Sequence, residues 1–212
     1  MLTKVLIADD HAIVRHGLRQ IVSETDDIRV EGEAESSAQA IRELRDNAFD
    51  VVLLDISLPD KNGIETLKQI RREWPTVAVL MLTTHAEDEF GVRAIKAGAA
   101  GYLTKQSAAS QLVTAVRQVA SGRKYISPSL GEELARMVGD GNDTRPVHEL
   151  LSDREYQTFI MIASGKSLSE MATSLSLSPK TVSVYRSRVL EKMHLKNNVE
   201  IAQYAVKNGL VT

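Results

Sequence analysis

Five polar side chains in the first half of the chain each stand just after, or close to the end of, a short apolar run. They are Asp9, Asp10, Asp55, Thr83 and Lys105. Carboxylates held close together repel one another, so they either raise a pKa or hold a hard cation, and oxygen ligands with room for water suit Mg²⁺. A metal ion and a lysine would neutralise phosphoryl oxygens while one carboxylate acts as the nucleophile. The set therefore predicts a phosphoryl-transfer site if the fold brings the five side chains together.

The apolar runs alternate with amphipathic helical patterns, and this alternation predicts how the five side chains meet. Residues 1–122 contain five such strand-and-helix units, and the strands are almost continuously apolar. Strands of that kind are typical of a parallel sheet covered by helices on both faces. In a doubly wound sheet of order 2-1-3-4-5, strands one and three are neighbours whose carboxyl ends meet at the switch point where ligands bind. We therefore expect an α/β domain with a doubly wound, five-stranded parallel sheet of the flavodoxin-like kind.

The pattern changes after residue 122. Residues 123–147 are predicted to form a linker with one amphipathic helix, marked by Leu130 and Leu134. The linker ends in a polar stretch, residues 139–146, which glycine and proline punctuate. Residues 148–212 have an all-helical pattern of four helices, and the second and third are spaced as a helix-turn-helix. We expect a small all-α domain whose third helix would enter a DNA major groove.

The third helix of this domain carries its apolar residues near one face and its polar residues largely elsewhere. The residues expected at the DNA are Lys180, Thr181, Ser183, Val184, Ser187 and Arg188, with Lys166, Arg186, Lys192 and Lys196 nearer to phosphates or solvent. On the last helix, the side chains that form either a dimer face or part of the core are Ile201, Ala202, Tyr204 and Ala205. A small helical bundle that contacts protein would show a similar pattern, so the residues alone leave both interpretations open.

The composition of the chain sets further limits. The 212 residues include no cysteine, which excludes disulfide scaffolds, thiolate zinc sites and cysteine nucleophiles. The sequence shows neither a membrane span nor a signal peptide, so we expect a cytoplasmic protein without a membrane partner. The net charge of −2 conceals a division, because residues 1–120 hold 14 basic and 18 acidic side chains while residues 121–212 hold 12 and 10. A near-neutral total therefore does not count against nucleic-acid binding.

The first half resembles the receiver domain of bacterial two-component response regulators. The resemblance covers residues 1–122 and rests on Asp9-Asp10, residues 55–63, Thr83 and Lys105-Gln106. It implies that Asp55 accepts a phosphoryl group from a sensor histidine kinase. Gln106 is a mild departure, because most receivers have proline after the lysine.

The same resemblance implies a role for each neighbour of Asp55. Asp10, Asp55 and the backbone carbonyl of Ser57 would bind Mg²⁺, with Asp9 in the outer shell of the ion. Thr83 would reorient toward the acyl phosphate, Lys105 would pair with it, and Tyr102 would be the aromatic switch partner.

The second half resembles the LuxR-type helix-turn-helix in residues 152–155, 163–167 and 177–182. With the receiver, this identifies the chain as a member of the NarL/FixJ family, and residues 185–193 look most like the GacA/UvrY branch. The resemblance implies a transcription regulator that binds double-stranded DNA, forms a homodimer on phosphorylation and has RNA polymerase as a further candidate partner. Ser183 and Tyr185 stand where many relatives carry lysine and histidine, so base specificity does not carry over.

Two other classes of function compete with this interpretation. A haloacid-dehalogenase-like phosphatase would use Asp55 as nucleophile, but it needs a second aspartate two residues later, where this chain has Ser57. As a response regulator, the protein is expected to lose its own phosphate slowly without being an enzyme that releases an external product. A phosphorylated signalling adaptor, whose helical domain binds protein or RNA, is the remaining alternative.

Overall fold

The computed structural model describes residues 2–84, 87–139 and 146–211, with residues 87–89 and 137–139 described by their backbone alone. The chain forms two compact units, Met1–Glu133 and Leu134–Thr212. The first unit thus extends past residue 122 and includes the beginning of the segment predicted as a linker. Most of the predicted polar stretch, residues 140–145, lies outside the described residues.

The first unit is built around a parallel five-stranded sheet. Its strands are β1 (Thr3–Ala8), β2 (Ile28–Ala34), β3 (Val51–Leu54), β4 (Ala78–Thr83) and β5 (Gly101–Thr104). Their order across the sheet is β2-β1-β3-β4-β5, which confirms the predicted fold class. The central strand β3 is buried at every residue, whereas the edge strand β2 alternates between buried and exposed side chains. This difference follows from coverage on both faces at the centre of the sheet.

Five helices connect and cover the strands. They are α1 (Ala12–Ser23), α2 (Ser37–Asp46), α3 (Gly63–Glu73), α4 (Glu87–Lys96) and α5 (Lys105–Ala120). Helices α1 and α5 pack against each other and share one apolar core with the sheet, to which Leu18 and Leu112 contribute. Helices α2 and α3 contact each other, and α4 packs against β5. A sixth helix, α6 (Pro128–Gly139), begins in this unit, where Leu130 is buried.

The second unit is helical. A short 3-10 helix, Val147–Leu150, precedes α7 (Asp153–Ala163), α8 (Leu168–Ser174), α9 (Pro179–Lys192) and α10 (Asn198–Lys207). A capping box starts α7, because Ser152 accepts from the Glu155 amide while the Glu155 side chain accepts from the Ser152 amide. Helix α9 begins with Ser178 as its cap and Pro179 in its first turn. Among the described residues, no helix combines the length and apolarity needed to cross a bilayer.

Candidate functional site

The sheet register brings the acidic residues to one edge. Ala8 pairs with Leu54, so the residues that follow them, Asp9 and Asp55, are neighbours at the carboxyl ends of β1 and β3. The Asp55 amide donates to the Ala8 carbonyl at 2.9 Å, which fixes the two loops against each other. Asp9 and Asp55 are only 1% and 2% exposed. Two carboxylates are therefore held side by side in a nearly dry pocket.

One lysine neutralises part of this charge. Lys105 is the first residue of α5, directly after β5, and its Nζ donates to Asp55 Oδ2 at 2.8 Å. The same Nζ lies 2.7 Å from Asp9 Oδ2. The three side chains predicted to meet from strands one, three and five are thus in contact, and a single ammonium group is shared by two buried carboxylates.

The electrostatics of the pocket follow from this arrangement. Burial raises the pKa of the Asp55 carboxyl, Lys105 acts in the opposite direction, and the charge of Asp9 adds to the rise. Burial favours the neutral amine of Lys105, but the facing carboxylates of Asp55 and Asp9 prevail and raise its pKa. The pocket therefore holds more negative charge than one lysine can balance.

The donor set of the pocket fits a divalent cation. One ligating atom from each of Asp9, Asp10, His11 and Asp55 lies within 4.8 Å of the others. Two buried carboxylate oxygens, Asp9 Oδ2 and Asp10 Oδ1, accept no hydrogen bond and have only ion-pair contacts. Such oxygens, in a pocket with surplus negative charge, are the ligands that Mg²⁺ prefers.

His11, which is not among the predicted site residues, joins this cluster. Its backbone amide donates to Asp9 Oδ1 at 2.9 Å, and its Nδ1 lies 2.7 Å from Asp10 Oδ1. The ring is more than half exposed. The one signal in the sequence is its position directly after the two aspartates.

The loop after Asp55 is shaped around that residue. The Ser57 amide donates to Asp55 Oδ1 at 3.3 Å, and Asn62 caps α3 by accepting from the Ile64 amide at 2.8 Å. A Cβ on Gly63 would stand 2.0 Å from the Asp55 carbonyl oxygen, so only glycine lets α3 begin this close to the phosphoryl-acceptor candidate.

The two predicted switch residues lie in the neighbouring strands. Thr83 ends β4 and is paired with Thr104, the residue before Lys105, while Tyr102 is paired with Met81. Both side chains are fully buried. Thr83 is therefore at the same sheet edge as Asp55, and Tyr102 is an internal residue of β5.

Arg15 is a further buried polar side chain at this edge. Its Nη1 donates to the Asp9 carbonyl at 2.8 Å, and its Nε and Nη2 donate to Glu33 and Glu35 at 3.0 and 2.5 Å. Arg15 therefore ties the acidic loop after β1 to the end of β2. No sequence signal identifies it, because its partners are 18 and 20 residues away along the chain.

Helix α9 of the second unit carries exposed basic side chains, in contrast to the buried acidic pocket of the first unit. Val182, Val189 and Met193 turn into the core of the unit. The predicted DNA-facing residues that are exposed are Lys166, Lys180, Val184, Ser187, Arg188, Lys192 and Lys196, while Thr181, Ser183 and Arg186 are partly exposed. These residues of α9, together with Lys166 before α8 and Lys196 after α9, are therefore at least partly accessible to a partner.

Two of these cations also bind within the unit. Arg186 Nε donates to Asn198 Oδ1 at 2.7 Å, and Lys192 Nζ donates to Glu155 Oε2 at 2.6 Å. Burial acts to raise the pKa of Glu155, but the bonds from Lys192 and Ser152 hold it below its usual value. On α10, Ile201 and Ala205 are fully buried, so these two belong to the core.

The chain thus carries a buried aspartate–lysine site on a doubly wound sheet, followed by a helix-turn-helix with an exposed basic face. Two family models match the chain, "response regulator receiver domain" over residues 5–117 and "bacterial regulatory proteins, luxR family" over residues 149–205. The chain belongs to the response regulators, with a receiver domain followed by a LuxR-type DNA-binding domain.

Individual relatives agree with this assignment along the whole chain. The response regulator UvrY of Escherichia coli strain K12 is 38% identical over 209 residues, covering 99% of this chain and 96% of the relative. GacA of Pseudomonas syringae pv. syringae is 37% identical over 210 residues, with 99% and 98% coverage. Regulators of this kind are signalling transcription regulators, so the prediction that the chain is not an enzyme is confirmed.

Solved structures support the same architecture. RcsB of Salmonella enterica serovar Typhimurium, bound to the promoter rprA in the presence of the phosphomimetic BeF3⁻, matches with a TM-score of 0.64 and 26% identity over 96% of this chain and 98% of that chain. A two-component response regulator of the LuxR family from Aurantimonas matches at 0.60 and 34%, over 65% of this chain and 98% of its own.

Proposed function

We propose that this response regulator is a phosphorylation-switched transcription factor acting in the cytoplasm. A sensor histidine kinase phosphorylates Asp55 in a Mg²⁺-dependent reaction, and the modification switches dimerisation and sequence-specific binding to double-stranded DNA. The observation that carries this proposal is the Asp55 carboxylate, buried at the end of β3 and held by Lys105 beside Asp9. Contact with RNA polymerase stays a prediction.

In the phosphoryl transfer, a carboxylate oxygen of Asp55 attacks the phosphorus of the kinase's phosphohistidine. The P–O bond of the acyl phosphate forms as the P–N bond breaks, and the imidazole nitrogen leaves with the electron pair. Asp10, Asp55 and the Ser57 carbonyl would hold Mg²⁺, with Asp9 in the outer shell, and the bound ion would neutralise charge on the phosphoryl oxygens. Lys105, already 2.8 Å from Asp55, pairs with the same oxygens.

The switch works as a population shift. The Thr83 hydroxyl turns toward the acyl phosphate, and the side chain of Tyr102 follows into the space that Thr83 leaves. Both residues are fully buried, so such a change has to displace neighbouring side chains rather than solvent. The displaced packing favours the form that dimerises and binds DNA.

On DNA, α9 enters the major groove. Lys180, Thr181, Ser183, Val184, Ser187 and Arg188 contact bases or phosphates, and Lys166, Arg186 and Lys192 contribute positive charge near the backbone. The exposure of Lys180 and Arg188 supports this arrangement.

The proposal is tested first by phosphorylation itself. With Mg²⁺ and an acyl-phosphate donor, the wild-type protein should gain one phosphoryl group by intact mass and shift in a phosphate-affinity gel, whereas Asp55→Asn should do neither. Asp46→Asn, an exposed aspartate in α2, serves as the matched control and should behave as wild type. Equal labelling of Asp55→Asn and wild type would overturn the assignment.

A salt series tests the DNA-binding half. Affinity for duplex DNA should fall steeply as the salt concentration rises, since several phosphate contacts release counterions. Absence of duplex binding at low salt, combined with normal phosphorylation, would favour an adaptor whose helical domain binds protein or RNA.

A further inference from the structure

The first part of the segment between the two domains is fastened to the receiver. We name residues 123–131 the linker latch. Tyr125 forms a parallel bridge with Gly101 of β5, its amide donates to the Ala100 carbonyl at 2.9 Å, and its hydroxyl donates to Gln111 of α5 at 2.9 Å. Lys124 Nζ also donates to the Ala99 carbonyl. The latch therefore continues the sheet beyond its edge strand.

The second anchor of the latch is apolar. Leu130, in the first turn of α6, is only 1% exposed. A Cβ on Gly91 of α4 would stand 2.8 Å from Leu130 Cδ1 and 3.1 Å from Cδ2. The absence of a side chain at Gly91 thus creates the slot that receives Leu130.

The same two elements carry the switch residues. Strand β5 is only four residues long. Lys105, which donates to Asp55, follows its last residue, and Gly101, its first residue, forms the bridge to Tyr125 of the linker latch. Tyr102 lies next to Gly101. Helix α4 is the element that follows β4, whose last residue is Thr83. Strand β5 thus carries both Tyr102 and the first anchor, and α4, which carries the second anchor, follows Thr83 along the chain.

We propose that the linker latch is docked on β5 and α4 in the unphosphorylated protein and is released when Asp55 is phosphorylated, so that the start of α6 passes the signal toward the DNA-binding domain. The proposal rests on the phosphorylation of Asp55 proposed above. It adds the mechanical step between the switch residues and the linker, and it assigns Gly91, Gly101, Tyr125 and Leu130 to that step.

The test compares two glycine-to-alanine substitutions in helices. Gly91→Ala places a methyl group in the slot of Leu130, whereas Gly17→Ala in α1 meets nothing within 4 Å. Both changes favour the helix by a similar amount, so neither is expected to unfold the protein. Leu130→Ala removes the anchor from the other side and serves as the second variant.

Hydrogen exchange of the full-length protein is the main measurement. Without phosphorylation, the backbone amides of residues 124–131, except Pro128, which has none, should exchange about tenfold faster in Gly91→Ala and Leu130→Ala than in wild type and Gly17→Ala. Mg²⁺ with BeF3⁻ should raise exchange of the same amides in wild type and add little in the two latch variants. Unphosphorylated Gly91→Ala should also bind duplex DNA several-fold more tightly than Gly17→Ala.

Each contrary outcome has a distinct meaning. If intact mass shows that the protein is phosphorylated but exchange at residues 124–131 is unchanged, the segment stays docked on the edge of the sheet. The proposed release of the latch is then wrong, while the proposed function stands. If residues 124–131 exchange equally in Gly91→Ala and Gly17→Ala, the claim that Leu130 anchors the latch in the space over Gly91 is wrong. If no phosphoryl group is gained at all, the proposed function fails and the latch fails with it.

Discussion

The acidic pocket of the receiver and the basic face of α9 differ in both charge and burial. In the pocket, Asp9, Asp55 and Thr83 are almost completely buried. Lys105 Nζ lies within 2.8 Å of an oxygen of each of the two carboxylates. On α9, Lys180 and Arg188 point into solvent. The side chains of the pocket are held in place by contacts within the protein, whereas Lys180 and Arg188 are exposed to a binding partner.

This difference predicts what substitutions do. A pocket residue has partners inside the protein, so its loss changes stability together with chemistry. A residue such as Lys180 or Arg188, which is exposed, is expected to find its partner on another molecule, so its loss should change binding and leave folding almost untouched. Four substitutions test this contrast.

The largest effect is expected for Lys105→Ala. Removing the ammonium leaves two buried carboxylates unbalanced, so the free energy of unfolding of the receiver should fall by about 3 kcal/mol at neutral pH without metal. The fluorescence of Trp74, the single tryptophan of the chain, reports denaturant unfolding of this domain. Lys180→Ala is the control and should change stability by less than about 0.5 kcal/mol. Equal effects of the two substitutions would remove the contrast between the sites.

Lys192→Met tests whether Lys192, a residue of α9, stabilises the DNA-binding domain in addition to any contact with DNA. Its ammonium is 2.6 Å from the buried Glu155, so we expect a loss of about 1.5 kcal/mol in the stability of the DNA-binding domain. Hydrogen exchange of α7 amides measures this loss. Because the pKa of Glu155 is lowered in the folded protein, the contribution is present above the unfolded pKa and disappears as the pH falls through the folded pKa. Unchanged exchange would return Lys192 to the group of solvent-facing cations.

Arg188→Ala should weaken DNA binding without destabilising the domain. Loss of one phosphate contact should reduce duplex affinity by about fivefold, roughly 1 kcal/mol, and lower the slope of log affinity against log salt by about one. A salt titration by fluorescence anisotropy measures both quantities. A change in α7 hydrogen exchange in the same variant would show that Arg188 belongs to the packed set instead.

The smallest effect is a gain in stability. Burial raises the pKa of Asp55, so the ionised carboxylate opposes folding at neutral pH, and Asp55→Asn should raise the free energy of unfolding by about 0.5 kcal/mol in metal-free buffer. The gain should shrink as the pH falls through the folded pKa, where the wild-type carboxyl is protonated. Saturating Mg²⁺ should stabilise wild type more than the variant. A destabilised variant would show that the bond to Lys105 outweighs burial.

The fold and the pocket were predictable because each depends on a local pattern. Apolar runs mark the strands, and polar residues at their ends become neighbours once the strand order is known, as Asp9, Asp55 and Lys105 show. Contacts between distant residues carry no such signal. Arg15 with Glu33, Lys192 with Glu155 and Leu130 over Gly91 depend on how packed elements meet in space.

Gly63 has a mechanical consequence. The backbone of α3 begins so close to the Asp55 carbonyl that a methyl group would overlap it, and the Gly63 amide donates to the Ile56 carbonyl at 2.8 Å. The end of β3 and the start of α3 are therefore held in close contact behind Asp55. If Asp55 is phosphorylated as proposed, we expect the α3 side to rearrange less than Thr83 and the strands β4 and β5. A single missing side chain would thus bias the direction in which the domain rearranges.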